Sequence, residues 1–165
     1  MRRVAAVLAL GAALLTGPLL ASPAAAVGHP PSPAIDVCES MVRGAIETSL
    51  GAPLPAPQQG VWTGRTYTCT YTLTGGQLVL RVDDLRTKKK ARAAYAKLWK
   101  AAAGSRTRLN GLGSAAYQAG DGTLVAVKDQ FLLVADPAAV PAPIKKSDLA
   151  FAAVVSVMSC WTAGS

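Results

Sequence analysis

The stretch TYTCTYTLTGG, from Thr66 to Gly76, alternates without interruption between threonine and a larger side chain. Thr66, Thr68, Thr70, Thr72 and Thr74 form one row; Tyr67, Cys69, Tyr71 and Leu73 form the other. Successive strand side chains point to opposite faces, so this alternation specifies a strand with a core face and a wet face. Gly75-Gly76 reads as a two-residue hairpin turn, because both positions can take φ > 0. That turn sets Thr74 opposite Gln77, Leu73 opposite Leu78, Tyr71 opposite Leu80 and Cys69 opposite Val82. The bulky row then meets Leu78, Leu80 and Val82, while the threonines meet Gln77, Val79, Arg81 and Asp83. Two independent patterns choose the same face as core. The threonine row is read as the wet face of an antiparallel sheet, with a flat recognition surface as its functional rival.

Working outward, the pattern predicts α-β-β-α-β-β-β-α. A first helix is expected over about Ala34 to Leu50, with Ile35, Cys38, Val42, Ala45, Ile46 and Ser49 on one face. Gly51 ends it, and APLPAPQQG (52–60) reads as a proline-punctuated loop. A second helix is expected over about Thr87 to Ala103, with an apolar stripe of Ala91, Tyr95, Leu98, Trp99 and Ala102. Three strands follow, split at Gly120-Asp121-Gly122 and by a tight turn at Asp129-Gln130. TLVAV and FLLVA are almost wholly apolar, as central strands covered on both faces are. A last helix, about Ser147 to Cys160, takes Ser147 as cap and buries Phe151, Val154, Val155 and Met158. The fold class is α+β: an antiparallel sheet of about five strands with helices packed on it.

The chain of 165 residues opens on Met1-Arg2-Arg3 and an apolar run from Val4 to Leu15. Gly17-Pro18 interrupts it, and small residues follow in ASPAAAVG. This is the layout of a secretory signal peptide, with cleavage expected after Ala26. The run is too short for the ~20 residues that span a bilayer, and no later stretch is apolar enough. Residues 27–33 form a proline-rich leader, and residues 34–165 a single domain large enough for a real core. Loss of Arg2 and Arg3 leaves fifteen basic residues against nine acidic, a net charge of +6. The expected location is extracellular.

An exported chain with three cysteines favours a disulfide. Cys38 lies on the inner face of the first helix and Cys69 in the inner row of the first strand, so Cys38–Cys69 is the expected bridge. Cys160, beside Trp161, is left as a free thiol, an intermolecular link or the true partner of one of the others. No C-x-x-C spacing points to redox chemistry.

Catalytic machinery is not evident. The single histidine, His29, sits in the leader, so neither a Ser-His-Asp nor a Cys-His arrangement can be assembled on the domain. The same scarcity argues against a zinc site, and no cofactor is implied. Asp83 and Asp84 are adjacent in a strand and point to opposite faces. NGLGSAA is a weak match to a glycine-rich nucleotide loop, since it opens no helix. A hydrolase using Asp121, Asp129 or Asp136 is the enzymatic alternative to a non-enzymatic binding domain.

Ten basic residues lie between Arg81 and Arg108, against Asp83 and Asp84. Lys88, Lys89, Lys90, Arg92, Lys97 and Lys100 fall on the second helix and form the candidate anionic-ligand surface. The lysine triplet occupies the first turn, where the helix dipole disfavours each cation by roughly 0.3–1 kcal/mol. Expected partners are an anionic envelope polymer, a lipid or a protein; the plain alternative is a solvated helix face. Nucleic acid is not expected, because the charge is not interleaved with aromatic residues and the chain is exported.

DVCESMVRGAIETSLGAPL (36–54), CTYT (69–72), LNGLGSAAY (109–117) and GTLVAVKDQFLLV (122–134) resemble small exported proteins and lipoproteins of actinobacteria grouped as a domain of unknown function. The resemblance implies a PsbP-like α+β fold and a role in the cell envelope, and it carries no functional residues. Two departures from the pattern are the missing lipid-attachment cysteine and the extra Cys160.

Overall fold

The computed structural model describes residues 31–163, so the expected signal segment, most of the leader and His29 lie outside the described residues. A helical turn, Ser32–Ile35, and a 3-10 turn, Asp36–Cys38, lead into helix α1, Ser40–Leu50. The chain continues through β1 (Gln59–Thr63), β2 (Thr66–Leu73), β3 (Gly76–Asp84), α2 (Lys88–Ala101), β4 (Arg106–Leu109), β5 (Ala115–Ala119), β6 (Leu124–Lys128) and β7 (Phe131–Asp136) to α3 (Lys146–Ala163). The class is α+β as read from the sequence. The described residues form one seven-stranded antiparallel sheet, ordered β1-β2-β3-β7-β6-β5-β4, rather than five strands.

Both additional strands have a physical reason. β1 arises inside and just beyond the proline-punctuated loop, where only Val61 and Trp62 offer strand-forming bulk; it is held by pairing, with Trp62 opposite Tyr67 and Gly60 opposite Cys69. β4 and β5 come from the segment read as one strand, divided where the loop Asn110–Ser114 turns the chain back.

The β2–β3 hairpin keeps its predicted faces but not its register. Leu73 pairs with Gly76, Tyr71 with Leu78, Cys69 with Leu80 and Tyr67 with Val82. The turn is Thr74-Gly75, one residue earlier than expected, and Gly75 supplies the positive φ of 83°. Gly76 is already in the strand, where a Cβ would lie 2.0 Å from the Ala139 carbonyl oxygen. It is a glycine because another backbone passes close by. The slip is two residues, so every side chain stays on its face.

Tyr71, Leu78, Leu80, Val82, Leu124, Ala126, Leu133 and Ala135 make the main core, covered by α1 and α3. The opposite face of β5, β6 and β7 buries Tyr117, Val125, Val127 and Leu132 beneath α2. TLVAV and FLLVA are therefore sandwiched, as their uniform apolarity predicts. The other half of the second face carries the threonine row, half-buried at Thr66, Thr68 and Thr70 and exposed at Thr72. No helix covers it among the described residues.

Two helical faces differ from expectation. The leading helix breaks at Glu39, whose ψ of 156° is extended, so Val37 rather than Ile35 is buried. In α3 the buried apolar residues are Leu149, Ala150, Ala153, Val154, Val157, Met158 and Trp161, while Phe151 and Val155 face outward. The helix is apolar almost all round, so periodicity alone did not select its inner side. It also starts before Ser147: Leu149 N–H donates to the Lys145 carbonyl, and Ser147 Oγ donates to Asp148.

Candidate functional site

Helix α2 is fixed to the sheet by Ala91, Ala94, Tyr95, Leu98 and Trp99 and presents its remaining surface to solvent. Thr87 caps it by accepting the Lys90 N–H at 3.2 Å. Lys88, Lys89, Lys90, Arg92, Lys97 and Lys100 are all exposed. From Lys88 to Arg108 there are eight basic residues and no acidic one. Within this run only Lys88 meets a carboxylate among the described residues, Asp129 at 2.7 Å. That contact, with Lys128 also nearby, holds the Asp129 carboxyl below its ordinary pKa. Arg81 belongs elsewhere: it pairs with Asp83 at 3.3 Å on the open half of the sheet.

The structure also brings together residues that sequence reasoning kept apart. Arg106 and Arg108 alternate on β4 and so share the face turned to α2. Their guanidinium carbons lie 5.4 and 5.1 Å from the centroid of the Trp99 ring. Trp99 stacks on Tyr95 at 6.5 Å, and both rings meet Tyr117 edge-on, at 5.1 and 5.4 Å. Arg106 donates to the Trp99 carbonyl, which places a cation at the helix C-terminus where the dipole favours it. Arginine and aromatic side chains are thus interleaved in space, although not along the chain. The one available signal was the alternation Arg106-Thr107-Arg108 following a helix with Trp99 in its last turn.

Two clefts flank this region. One of about 310 Å³ is lined by Tyr95, Arg108, Leu109, by Asn110, Gly111, Gly113 and Ser114 of the loop, and by the start of β5. A larger one, about 540 Å³, lies between Leu112, Lys128, Val155 and Met158. There Lys128 Nζ donates to the Trp161 carbonyl, so its charge is anchored to the end of α3.

The candidate catalytic carboxylates are dispersed and engaged locally. Asp121 accepts the Thr123 N–H at 2.9 Å, and Asp136 accepts the Ala138 N–H at 2.8 Å. Asp83 accepts the Thr66 hydroxyl, and Asp84 pairs with Arg65. Among the described residues no group of His, Cys, Asp or Glu is arranged to hold a metal ion. Nor is any helix there long and apolar enough to cross a membrane.

Cys38 and Cys69 form the disulfide, with Cα atoms 5.4 Å apart. Gln58 Nε2 donates to the Cys38 carbonyl at 2.8 Å and ties the loop before β1 to the same point. Cys160 is a half-buried free cysteine whose sulfur lies 3.7 Å from that of Met41. Burial, and then Asp36, push its thiol pKa up, so little thiolate forms.

Against protein-family models, curated proteins and solved structures, the chain finds no match.

Proposed function

We propose that this protein is an exported, non-catalytic module that binds an anionic polymer of the cell envelope through the outer face of α2 and the adjoining strand β4. The observation that carries this reading is the run from Lys88 to Arg108, with eight basic residues, no acidic one and a single ion pair. Charges left without counter-charges repel one another in the folded protein, and a polyanion offsets that repulsion. Export is supported by the apolar N-terminal run and by the Cys38–Cys69 bridge, a bond that persists in oxidising compartments.

A polymer fits better than insertion into a bilayer. A helix lying in a membrane interface buries its apolar side in lipid, whereas α2 has committed that side to the sheet. The exposed large apolar residues, Ile35, Met41, Val61, Phe151 and Val155, belong to other elements. The carboxylates a hydrolase would use are engaged in local turns and an ion pair, which supports a binding role.

The test is retention on an immobilised phosphodiester polymer, such as poly(glycerol phosphate), across a salt series. Binding is expected to fall as salt rises and to weaken in the Lys88→Ala/Lys89→Ala/Lys90→Ala protein. Unchanged retention in that triple variant contradicts the reading.

A further inference from the structure

We propose that the 310 Å³ cleft at the end of this basic face is a seat for one oxyanion-bearing unit, a phosphate or carboxylate on a small polar residue, held by Arg108, Asn110 and Tyr95. The inference rests on the anionic-polymer reading and gives it a specific subsite: the helix supplies diffuse attraction, and the cleft grips a single repeat.

Three observations converge. First, the donors are unused. Among the described residues the Arg108 guanidinium lies 5.1 Å from the Trp99 ring centroid and interacts electrostatically with Tyr95, but has no hydrogen bond or ion pair. The Tyr95 hydroxyl and the Asn110 amide likewise have no hydrogen bond there. Second, Arg108 is pre-organised. A guanidinium resting on an indole ring is biased toward that position while its in-plane N–H groups remain available, in the fork that matches a carboxylate or phosphate. No acidic residue lines the cleft to compete for that fork. Third, the approach is graded. Lys88, Arg92, Tyr95 and Trp99 follow one another at steps of four, three and four, which puts them on one ridge of α2. Lys88 and Arg92 therefore lie on the same flank of α2 as Tyr95, which lines the cleft. The volume is at the lower end of the ~300–1,000 Å³ typical of small-molecule sites, so it admits one unit and not a folded chain.

The site is tested with monomeric probes by NMR titration of the full-length secreted protein. Glycerol 3-phosphate and glucuronate separate the two oxyanion sources, and glucose is the neutral control. The expected result is saturable shifts at Asn110, Gly111 and the Trp99 indole with one or both anions and none with glucose. Arg108→Lys keeps the charge but loses the fork and is expected to weaken binding about tenfold. Asn110→Ala, on an exposed loop, is expected to weaken it about threefold, and unchanged thermal unfolding shows that both variants fold. Equal binding by Arg108→Lys and wild type, equal shifts with glucose, or no shifts with either anion overturns the seat. Polymer retention measured in parallel keeps the two proposals separable. Retention without monomer binding removes the seat alone, and monomer binding without retention removes the polymer reading alone.

Discussion

The phenol of Tyr71 donates a 2.7 Å hydrogen bond to the carbonyl of Val37, the residue before the bridged Cys38. Tyr71 in turn stands two residues after Cys69, so the leading segment is fastened to β2 at two neighbouring points, one covalent and one polar. Burial raises the Tyr71 pKa well above its ordinary value, which keeps the phenol a donor at all relevant pH. Tyr71→Phe leaves a buried carbonyl without its partner and is expected to cost about 1–3 kcal/mol in urea unfolding. A change within error would show that water replaces the phenol.

The covalent point is expected to matter more. The bridge joins residues separated by 31 in sequence, and closing a loop of that length stabilises by roughly 3.5–4 kcal/mol in the chain-entropy estimate. Denaturation of the Cys38→Ala/Cys69→Ala protein against the oxidised wild type checks this. A loss below about 1 kcal/mol would mean that Tyr71, Gln58 and the core hold the segment without the bond.

Gly76 is a site where side-chain size decides. A Cβ there meets the Ala139 oxygen at 2.0 Å, and neighbouring Gln77 donates its N–H to that oxygen at 3.1 Å. Gly76→Val must push the Pro137–Pro141 loop away from β3 and is expected to destabilise by about 1–3 kcal/mol, measured by thermal unfolding. Gly44→Ala, where a Cβ meets nothing within 4 Å, is the matched control and is expected to be neutral or slightly stabilising.

Arg43 and Glu47 hold the proline-rich loop after α1. Arg43 reaches the carbonyls of Leu54 and Ala56, and Glu47 Oε1 accepts the Leu54 N–H at 3.0 Å while pairing with Arg43 at 2.9 Å. The Leu54 hydrogen bond, followed by Arg43, lowers the Glu47 pKa. A carboxyl with a depressed folded pKa stabilises above its unfolded value, and that contribution is lost as pH falls through the folded one. Exchange of the Leu54 amide is therefore expected to be slow at neutral pH and to speed up once pH drops below the usual glutamate range of about 4.3, relative to a core amide such as Leu80. Glu47→Gln should exchange faster than wild type at neutral pH, and the difference should close as the wild-type carboxyl protonates; a flat pH response in wild type contradicts the latch.

The sequence was most legible where two patterns constrained one another. The alternation of Tyr67, Cys69, Tyr71 and Leu73 against Leu78, Leu80 and Val82 established the core face and hence the bridge to Cys38. Register was harder to read, because Gly75 and Gly76 look equivalent along the chain, while only the distant Ala139 backbone distinguishes a turn glycine from a contact glycine. β1 was missed because its pairing, not its composition, makes it a strand. The face of α3 was ambiguous because alanines and valines surround it, leaving tertiary packing to choose. The lysines of α2 stood out as charge, but the meeting of Arg106 and Arg108 with Trp99 needs the chain to fold back across Gly104. Chemistry spread over a helix and a later strand has no local signature.

The most direct test of the anionic-polymer account is the salt dependence of binding to poly(glycerol phosphate), compared between wild type and Lys88→Ala/Lys89→Ala/Lys90→Ala. If the helix face neutralises polymer charge, log affinity falls linearly with log salt, and the triple variant has a shallower slope as well as weaker binding. Parallel lines of equal affinity, or wild-type binding indifferent to salt, would contradict it.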